Sequence, residues 1–411
     1  MLKIVTSSNR RAVNRIVERR DARDPLLARR VRTILRRVRE GGDRALIAYA
    51  QRFDGLQQAI ELTPEEIAHG ARRTTPELRA AIRVAARNIR RVARHQVPRA
   101  WRVAVDRGVW VEQRVRPLDR VGCYVPGGRH PLPSSLLMTA IPAGIAGVPE
   151  IIVVCPRPDP AVLAAALEAR VSRVFRIGGA HAVAALAYGT SSVPAVDKIV
   201  GPGNAYVAEA KAQVSTECPI DLHAGPSEIV VISRTGRPEW IAADLMAQAE
   251  HDPDARAIFL TPSLRLAQRV ARQVAKSLDD ATTRSSLRRN GGVIVTRTLD
   301  EAVAIANRIA PEHLVCDEPA VARTVTRAGA IFLGPYTAQA AGDYATGSNH
   351  VLPTNGAARF RGGLSAADFV KLSAVQRLSR RGLTSLAPTI LALARAEGLE
   401  HHARSVEVRL S

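Results

Sequence analysis

Aromatic side chains are scarce in these 411 residues: Phe, Trp and Tyr together make up 4%. A core built on rings is excluded, and Val, Ile, Leu and Ala must do the packing. Cysteine is nearly missing too. Cys123, Cys155, Cys218 and Cys316 lie far apart, with no Cys-x-x-Cys pair. That excludes a disulfide framework and zinc-finger spacing, and it suits a reducing, cytoplasmic compartment. No run of roughly 18 apolar residues occurs, so no membrane span is expected. The first 24 residues are polar and Arg-rich, without the apolar stretch of a signal peptide.

What is present points to a large globular protein. Apolar residues make up 46% of the chain, which argues against disorder. The length calls for two or more domains. The formal net charge is +21, which would suit a polyanion. The cations, however, are nearly all Arg, scattered along the chain and largely on the outer faces of expected helices. No basic tail or aromatic-studded strand accompanies them, so no specific nucleic-acid partner is expected.

The first 100 residues read as helical. Thr75 caps a helix with Pro76 at its first position. Leu78, Ile82, Ala85, Ile89 and Val92 then share one face. From residue 119, short apolar runs alternate with helical stretches. Ile151–Cys155, Val174–Ile177, Lys198–Val200, Ile229–Ile232, Ile258–Leu260, Val293–Val295 and Ile331–Leu333 read as strands. Helices are expected at 160–169, 181–188, 204–215 and 240–250. This alternation means parallel sheets with helices on both faces, in one sheet or two. Gly/Pro-rich stretches at 122–134 and 222–227 suit crossings between domains. The C-terminal 45 residues read as mainly helical.

Several residues carry chemistry. Gly-rich turns occur at Gly127-Gly128, Gly178-Gly179-Ala180 and Gly201-Pro202-Gly203-Asn204. The last two each follow a strand and precede a helix, where ligands approach α/β sheets. None is a G-x-G-x-x-G fingerprint, and a plain tight turn remains open for each. Gln248 and His251, three apart at a helix end, share a face. Spacing alone leaves a metal site there open beside an ordinary helix end. Glu312 and His313 at a loop edge can bring a carboxylate and an imidazole to one pocket, or lie on the surface. Asp343 and His350 lie in a polar cluster past a strand, where Asp343 could equally be a cap. Glu397 and His402 lie near the end of the chain, where His401-His402 could equally be a solvated tail.

Eight ordered strings resemble the histidinol dehydrogenase family. They are VGCYVPGGRHPLPSSLLM, VDKIVGPGNAYVAEAK, IDLHAGPSEIVVI, MAQAEHDPDA, IAPEHL, GDYATGSNHVLPT, RFRGGLSAADF and EGLEHHARSV. The resemblance covers about residues 35 to 408. It implies oxidation of L-histidinol through the aldehyde to L-histidine, in histidine biosynthesis, with two NAD and one zinc ion per site. It implies that Gln248, His251, Asp343 and His402 bind zinc, and that Glu312 and His313 act as acid–base pair. Ser227, His350 and Glu397 are implied as substrate contacts, together with Gln248, His251, His313, Asp343 and His402. Tyr124, His181 and Asn204 are implied as NAD contacts. A homodimer with shared active sites and exchanged tails is implied, His402 coming from the second copy.

The expected fold is thus α/β with two Rossmann-like parallel-sheet domains, an N-terminal helical region and a helical C-terminal tail. Residues 1–118 are read as the helical part of the first domain, 119–228 as an inserted NAD-side domain, 229–362 as the zinc and catalytic part, and 363–411 as the tail. His181 stands where the family often carries Gln, and His223 and Cys316 are also unusual for it. One rival is a related zinc and NAD dehydrogenase acting on another alcohol, such as a sulfonated diol. Glu397 and His350 speak against it, since a sulfonate should want cations. A second rival is a thioester-forming aldehyde dehydrogenase with Cys155 or Cys316 as nucleophile, although Cys155 ends an expected buried strand.

Overall fold

Apolar runs too short for helices form the strands of two parallel sheets. The computed structural model describes residues 2–18, 24–127, 131–223, 225–278 and 280–411. Gly128 and Ala224, within the Gly-rich stretches, fall outside these. The strands in chain order are β1 (Ile4–Thr6), β2 (Trp101–Asp106), β3 (Val109–Pro117), β4 (Arg120–Tyr124), β5 (Glu150–Val154), β6 (Arg173–Phe175), β7 (Lys198–Val200), β8 (Glu228–Ile232), β9 (Arg256–Thr261), β10 (Gly292–Val295), β11 (His313–Cys316), β12 (Ala330–Leu333) and β13 (Val370–Leu378).

One sheet has the order β6-β5-β4-β7 and is parallel throughout. The other has the order β1-β10-β9-β8-β11-β12 and is also parallel. Each repeats the Rossmann-like pattern, the order reversing between β4 and β7 in one sheet and between β8 and β11 in the other. Val, Ile, Leu and Ala fill both faces of each sheet, as the scarcity of rings required. The seven strands read from the sequence are all found, within two residues. The helix Pro76–Gln96 starts at the Thr75 cap. Its buried stripe is Ile82, Ala86, Ile89 and Ala93, while Leu78 is exposed and Ala85 and Val92 are only partly covered.

Three features were not expected. Ile4–Thr6 opens the chain as a strand at the edge of the six-stranded sheet. Arg120–Tyr124 is a strand at the heart of the other sheet. The third is an antiparallel sheet, β13-β3-β2, that brings residues 370–378 against 109–117. The tail is helical beyond it, over Arg380–Ala396 and Glu400–Glu407. Among the described residues no helix is long and apolar enough to cross a membrane.

Candidate active site

The helix Leu299–Ile309 ends on Ala310 in a left-handed conformation, φ 52°. Pro311 then turns the chain into β11, so that Glu312 and His313 stand at the amino end of a central strand. Both side chains are buried. β8 runs alongside in parallel, with His313 opposite Ile229. The backbone of Glu228 therefore meets both residues. Its N–H donates to Glu312 Oε2 at 2.9 Å, and its carbonyl oxygen lies 3.2 Å from His313 Nδ1. A carbonyl oxygen only accepts, so Nδ1 carries the proton and the neutral ring offers its lone pair at Nε2. Glu228 itself is held by a buried ion pair with Arg256 at 2.8 Å.

Burial sets the protonation of this pair. Removal from water pushes His313 down to about 4, and nearby His251 and His350 add to that. The imidazole is thus neutral near pH 7. The same removal from water holds the Glu312 carboxyl well above its usual range, against the Glu228 N–H bond. The two groups lie 3.6 Å apart, Nδ1 to Oε2.

The short helix Gln339–Tyr344 brings in Asp343, whose Oδ1 is 3.9 Å from His313 Nε2. Burial raises the Asp343 carboxyl too, while a Gln339 hydrogen bond and the charge of His251 lower it. Gln339 is fully buried; its amide Nε2 is 2.6 Å from Asp343 Oδ2 and 3.3 Å from His313 Nε2. Its backbone N–H donates to the carboxyl of Asp244 on the helix Pro238–Ala249. Gln248 ends that helix. It is buried, and its Oε1 has no hydrogen-bond partner. His251 follows on the surface and acts electrostatically on His313, Asp343 and His350. His350 donates from Nδ1 to the Asp343 carbonyl at 3.1 Å and is likewise pushed down to about 4 by burial. Ser227 immediately precedes β8.

Glu397 and His402 are not brought to this cluster. Both are exposed, on the terminal helices that pack on each other and on β13. Among the described residues no three His, Cys, Asp or Glu side chains come together as a metal site. Sequence reasoning missed Gln339 and Glu228. Gln339 sits in an Ala-rich run without a motif, and Glu228 acts through its backbone, which no side-chain pattern signals.

A second cluster lies at the carboxyl edge of the four-stranded sheet. Tyr124 ends β4, Gly201–Asn204 follow β7, and Gly178-Gly179 follow β6. The β4/β7 boundary is the switch point where such sheets bind ligands. The turns are held by the protein's own acceptors. Gly178 N–H donates to Asp54 at 2.9 Å, Gly179 N–H to the Tyr124 hydroxyl at 2.9 Å, and Gly201 N–H to buried Asp221 at 2.6 Å. Gly201 has φ 111°, and a Cβ there would meet the Tyr124 carbonyl. These N–H groups are therefore not open to a phosphate. Asn204 caps the helix Ala205–Val214 through Oδ1, 3.2 Å from Val207 N, and is exposed. His181 is 2% exposed, its Nε2 2.8 Å from Asp54.

The thiols do not fit a nucleophile. All four are buried, and burial pushes Cys155 up to about 12 and Cys316 up to about 11.

The family model for histidinol dehydrogenase matches residues 17–410. The chain belongs to the histidinol dehydrogenase family. It is 48% identical to the histidinol dehydrogenase of Syntrophotalea carbinolica, over 97% of this chain and 96% of that one. It is 47% identical to that of Pseudomonas aeruginosa, over 94% and 92%. The crystal structure of histidinol dehydrogenase from Elizabethkingia anophelis superposes with a TM-score of 0.95 at 33% identity, covering 100% of this chain and 98% of that one. An acetylating aldehyde dehydrogenase from Geobacillus thermoglucosidasius, at 13% identity and a TM-score of 0.50, shares the fold alone.

Proposed function

We propose that this chain oxidises L-histidinol by way of L-histidinaldehyde to L-histidine, with two NAD and one zinc ion per site, as the last steps of histidine biosynthesis. The observation that carries the reading is the buried His313 imidazole, neutral near pH 7 and fixed by Glu228 so that Nε2 is the basic atom. A hydride leaves an alcohol carbon only as its hydroxyl proton is taken, and His313 Nε2 takes it. Bound NAD would supply the hydride acceptor. The aldehyde must then gain water before a second hydride leaves, and Glu312 draws the proton from that water. A carboxyl with a raised pKa is the stronger base once ionised. Burial of both groups keeps bulk water from the reactive aldehyde.

The donors fit zinc. A buried amide oxygen without a partner costs about 1–3 kcal/mol, and Gln248 Oε1 is such an atom. With Asp343 and His251 it gives three of the nitrogen and oxygen donors that zinc takes. Gln248, His251 and Asp343 would hold the ion together with His402 of a second copy. Bound there, zinc would polarise the alcohol oxygen and anchor the imidazole and amine of histidinol. Ser227, His350 and, from the second copy, Glu397 would complete the substrate contacts.

A homodimer is supported by the antiparallel sheet. Trp101, Val103, Val111, Val115 and Leu372 share one face by register, and Trp101 and Leu372 are about half exposed. An open apolar sheet face of this kind marks an interface, and the sheet leads directly into the helices that carry Glu397 and His402. NAD would bind at the β4/β7 switch point, with Tyr124 at the end of β4 and Asn204 at a helix amino end. The chain would divide as read from the sequence, with 119–228 inserted between 1–118 and 229–362 and the tail from 363. The entry of β1 into the six-stranded sheet supports that division. Four buried, unpaired thiols suit a reducing cytoplasm.

The test is the NADH formed from limiting L-histidinol with excess NAD. Two NADH per histidinol, lost on chelation and restored by zinc, is the expected result. One NADH would mean that the aldehyde escapes and would remove Glu312 from the second step. None, in folded and zinc-loaded protein, would move the substrate to another alcohol.

A further inference from the structure

We propose that a cavity among three helices beside the four-stranded sheet binds a small organic oxyanion, a carboxylate or phosphate on a short apolar body. The cavity shares no residue with the catalytic cluster or the Gly-rich turns, and the proposal stands apart from the reaction above. The helices are Pro64–Arg72, Pro76–Gln96 and Pro160–Ala169. Gly70 lies against Leu163, and the next residues, Ala71 and Ala164, line a space of about 250 Å³. Its floor is apolar, for Ala71, Ile82 and Ala164 are all buried. Arg72, Arg79 and Arg83 stand around it. The one carboxylate that lines it, Glu168, is taken by Arg90 at 2.7 Å.

Three cations in one space are costly without a counter-charge. Arg79 and Arg83 lie four apart on one helix face, where like charges repel. Arg79 Nε is buried and has no hydrogen-bond partner, and an unmet buried donor on a charged group destabilises a fold. The chain is rich in Arg, yet other half-buried guanidinium groups are met: Arg90 by Glu168, Arg173 by Glu61, and Arg256 by Glu228. Among the described residues, none pairs with the guanidinium of Arg72, Arg79 or Arg83. An oxyanion supplies what is missing. A guanidinium offers a planar fork of donors that a carboxylate or phosphate meets with two parallel hydrogen bonds. One anion between Arg79 and Arg83 also replaces their repulsion by attraction. The apolar floor would cover a hydrocarbon group attached to the anion, and the volume limits the ligand to a small one.

The test is calorimetric titration of the full chain at low salt with phenyl phosphate, benzoate and inorganic phosphate. One of the two organic anions should bind, about tenfold or more tighter than inorganic phosphate, because its ring is buried as well. Arg79→Met and Arg83→Met should each weaken that binding about 10- to 100-fold, the effect of losing hydrogen bonds to a charged group. Arg87→Met, which removes an exposed charge from the same helix outside the cavity, should leave it unchanged. Without ligand, Arg79→Met should melt no lower than the parent, since the charge removed had no partner. The proposal is overturned if neither organic anion binds, if Arg87→Met weakens binding as much as Arg79→Met, or if Arg79→Met melts lower. Inorganic phosphate binding as tightly as the organic anions would mean an adventitious ion only, and would overturn it too.

Discussion

Gln339 donates its side-chain amide to Asp343, 2.6 Å from Nε2 to Oδ2. The same nitrogen lies 3.3 Å from the basic nitrogen of His313. One buried amide thus ties the base to the carboxylate assigned to zinc. Gln339→Leu keeps the volume and removes both bonds. We expect kcat/KM to fall about 10- to 100-fold and zinc to be lost faster, as for other groups that orient metal ligands. Unchanged zinc retention against a mild chelator, with unchanged kcat/KM, would refute the link.

The roles proposed for Glu312 and His313 predict a pH dependence. His313 is neutral above about 4 because it is buried. The acid limb of kcat/KM assigned to it should therefore lie well below the ordinary imidazole range, with activity lost only as the pH falls toward 4. His313→Ala should remove that limb and lower kcat roughly 100- to 10,000-fold, while zinc stays bound. Glu312→Gln should slow the second oxidation more than the first. Stability follows the same sign. The folded pKa values of His313 and His350 are both depressed to about 4, so the unfolded chain binds more protons between about 4 and 6.5. Stability is full above that window and falls through it as pH drops, by up to about 3 kcal/mol per ring. Urea melts at pH 7.5 and 5 measure it.

If His402 serves the site of the other copy, two dead variants should rescue each other. His402→Asn and His313→Ala, unfolded together and refolded, would form mixed dimers with one intact site. Activity should reappear in the mixture and be missing from each variant refolded alone. No recovery, with mixed dimers shown to form, would place His402 in its own subunit.

Lys211 and Asp221 form a buried ion pair, and Lys211 also bonds the Gly201 carbonyl at 2.9 Å. Lys211→Met leaves Asp221 charged and buried, and should destabilise the fold by about 3–5 kcal/mol. It should also loosen the Gly201 turn and raise KM for NAD. A melting temperature within a degree of the parent protein would contradict this.

The architecture was readable where burial is two-sided. The run Ile229–Ile232 is apolar at every position because helices cover both faces of β8. Val370–Leu378 was not readable as a strand. Its residues are largely exposed on both faces, and the alternation begun at Val370, Leu372 and Ala374 breaks at Val375 and Gln376. The site divided along a different line. Glu312 and His313 carry titratable side chains and a motif, so they stood out. Asp54 gave no signal, since its contact with Gly178 and His181 depends on a turn far away in sequence. His181 did stand out, as a departure from the expected Gln, but its role as an enclosed partner of Asp54 required the fold. His402 lies exposed and apart from the cluster, a separation that one sequence does not display.

The pairing of Ile4 with Val293 also orders events in time. The four-stranded sheet needs only residues 120 to 200, and can close as soon as that stretch has left the ribosome. The first strand of the chain must wait, unpaired, until β10 is made. Such distant pairing is slow, and an unpaired strand is exposed to wrong partners meanwhile. During synthesis the strands of the four-stranded sheet would thus be paired while Ile4–Thr6 still had no partner.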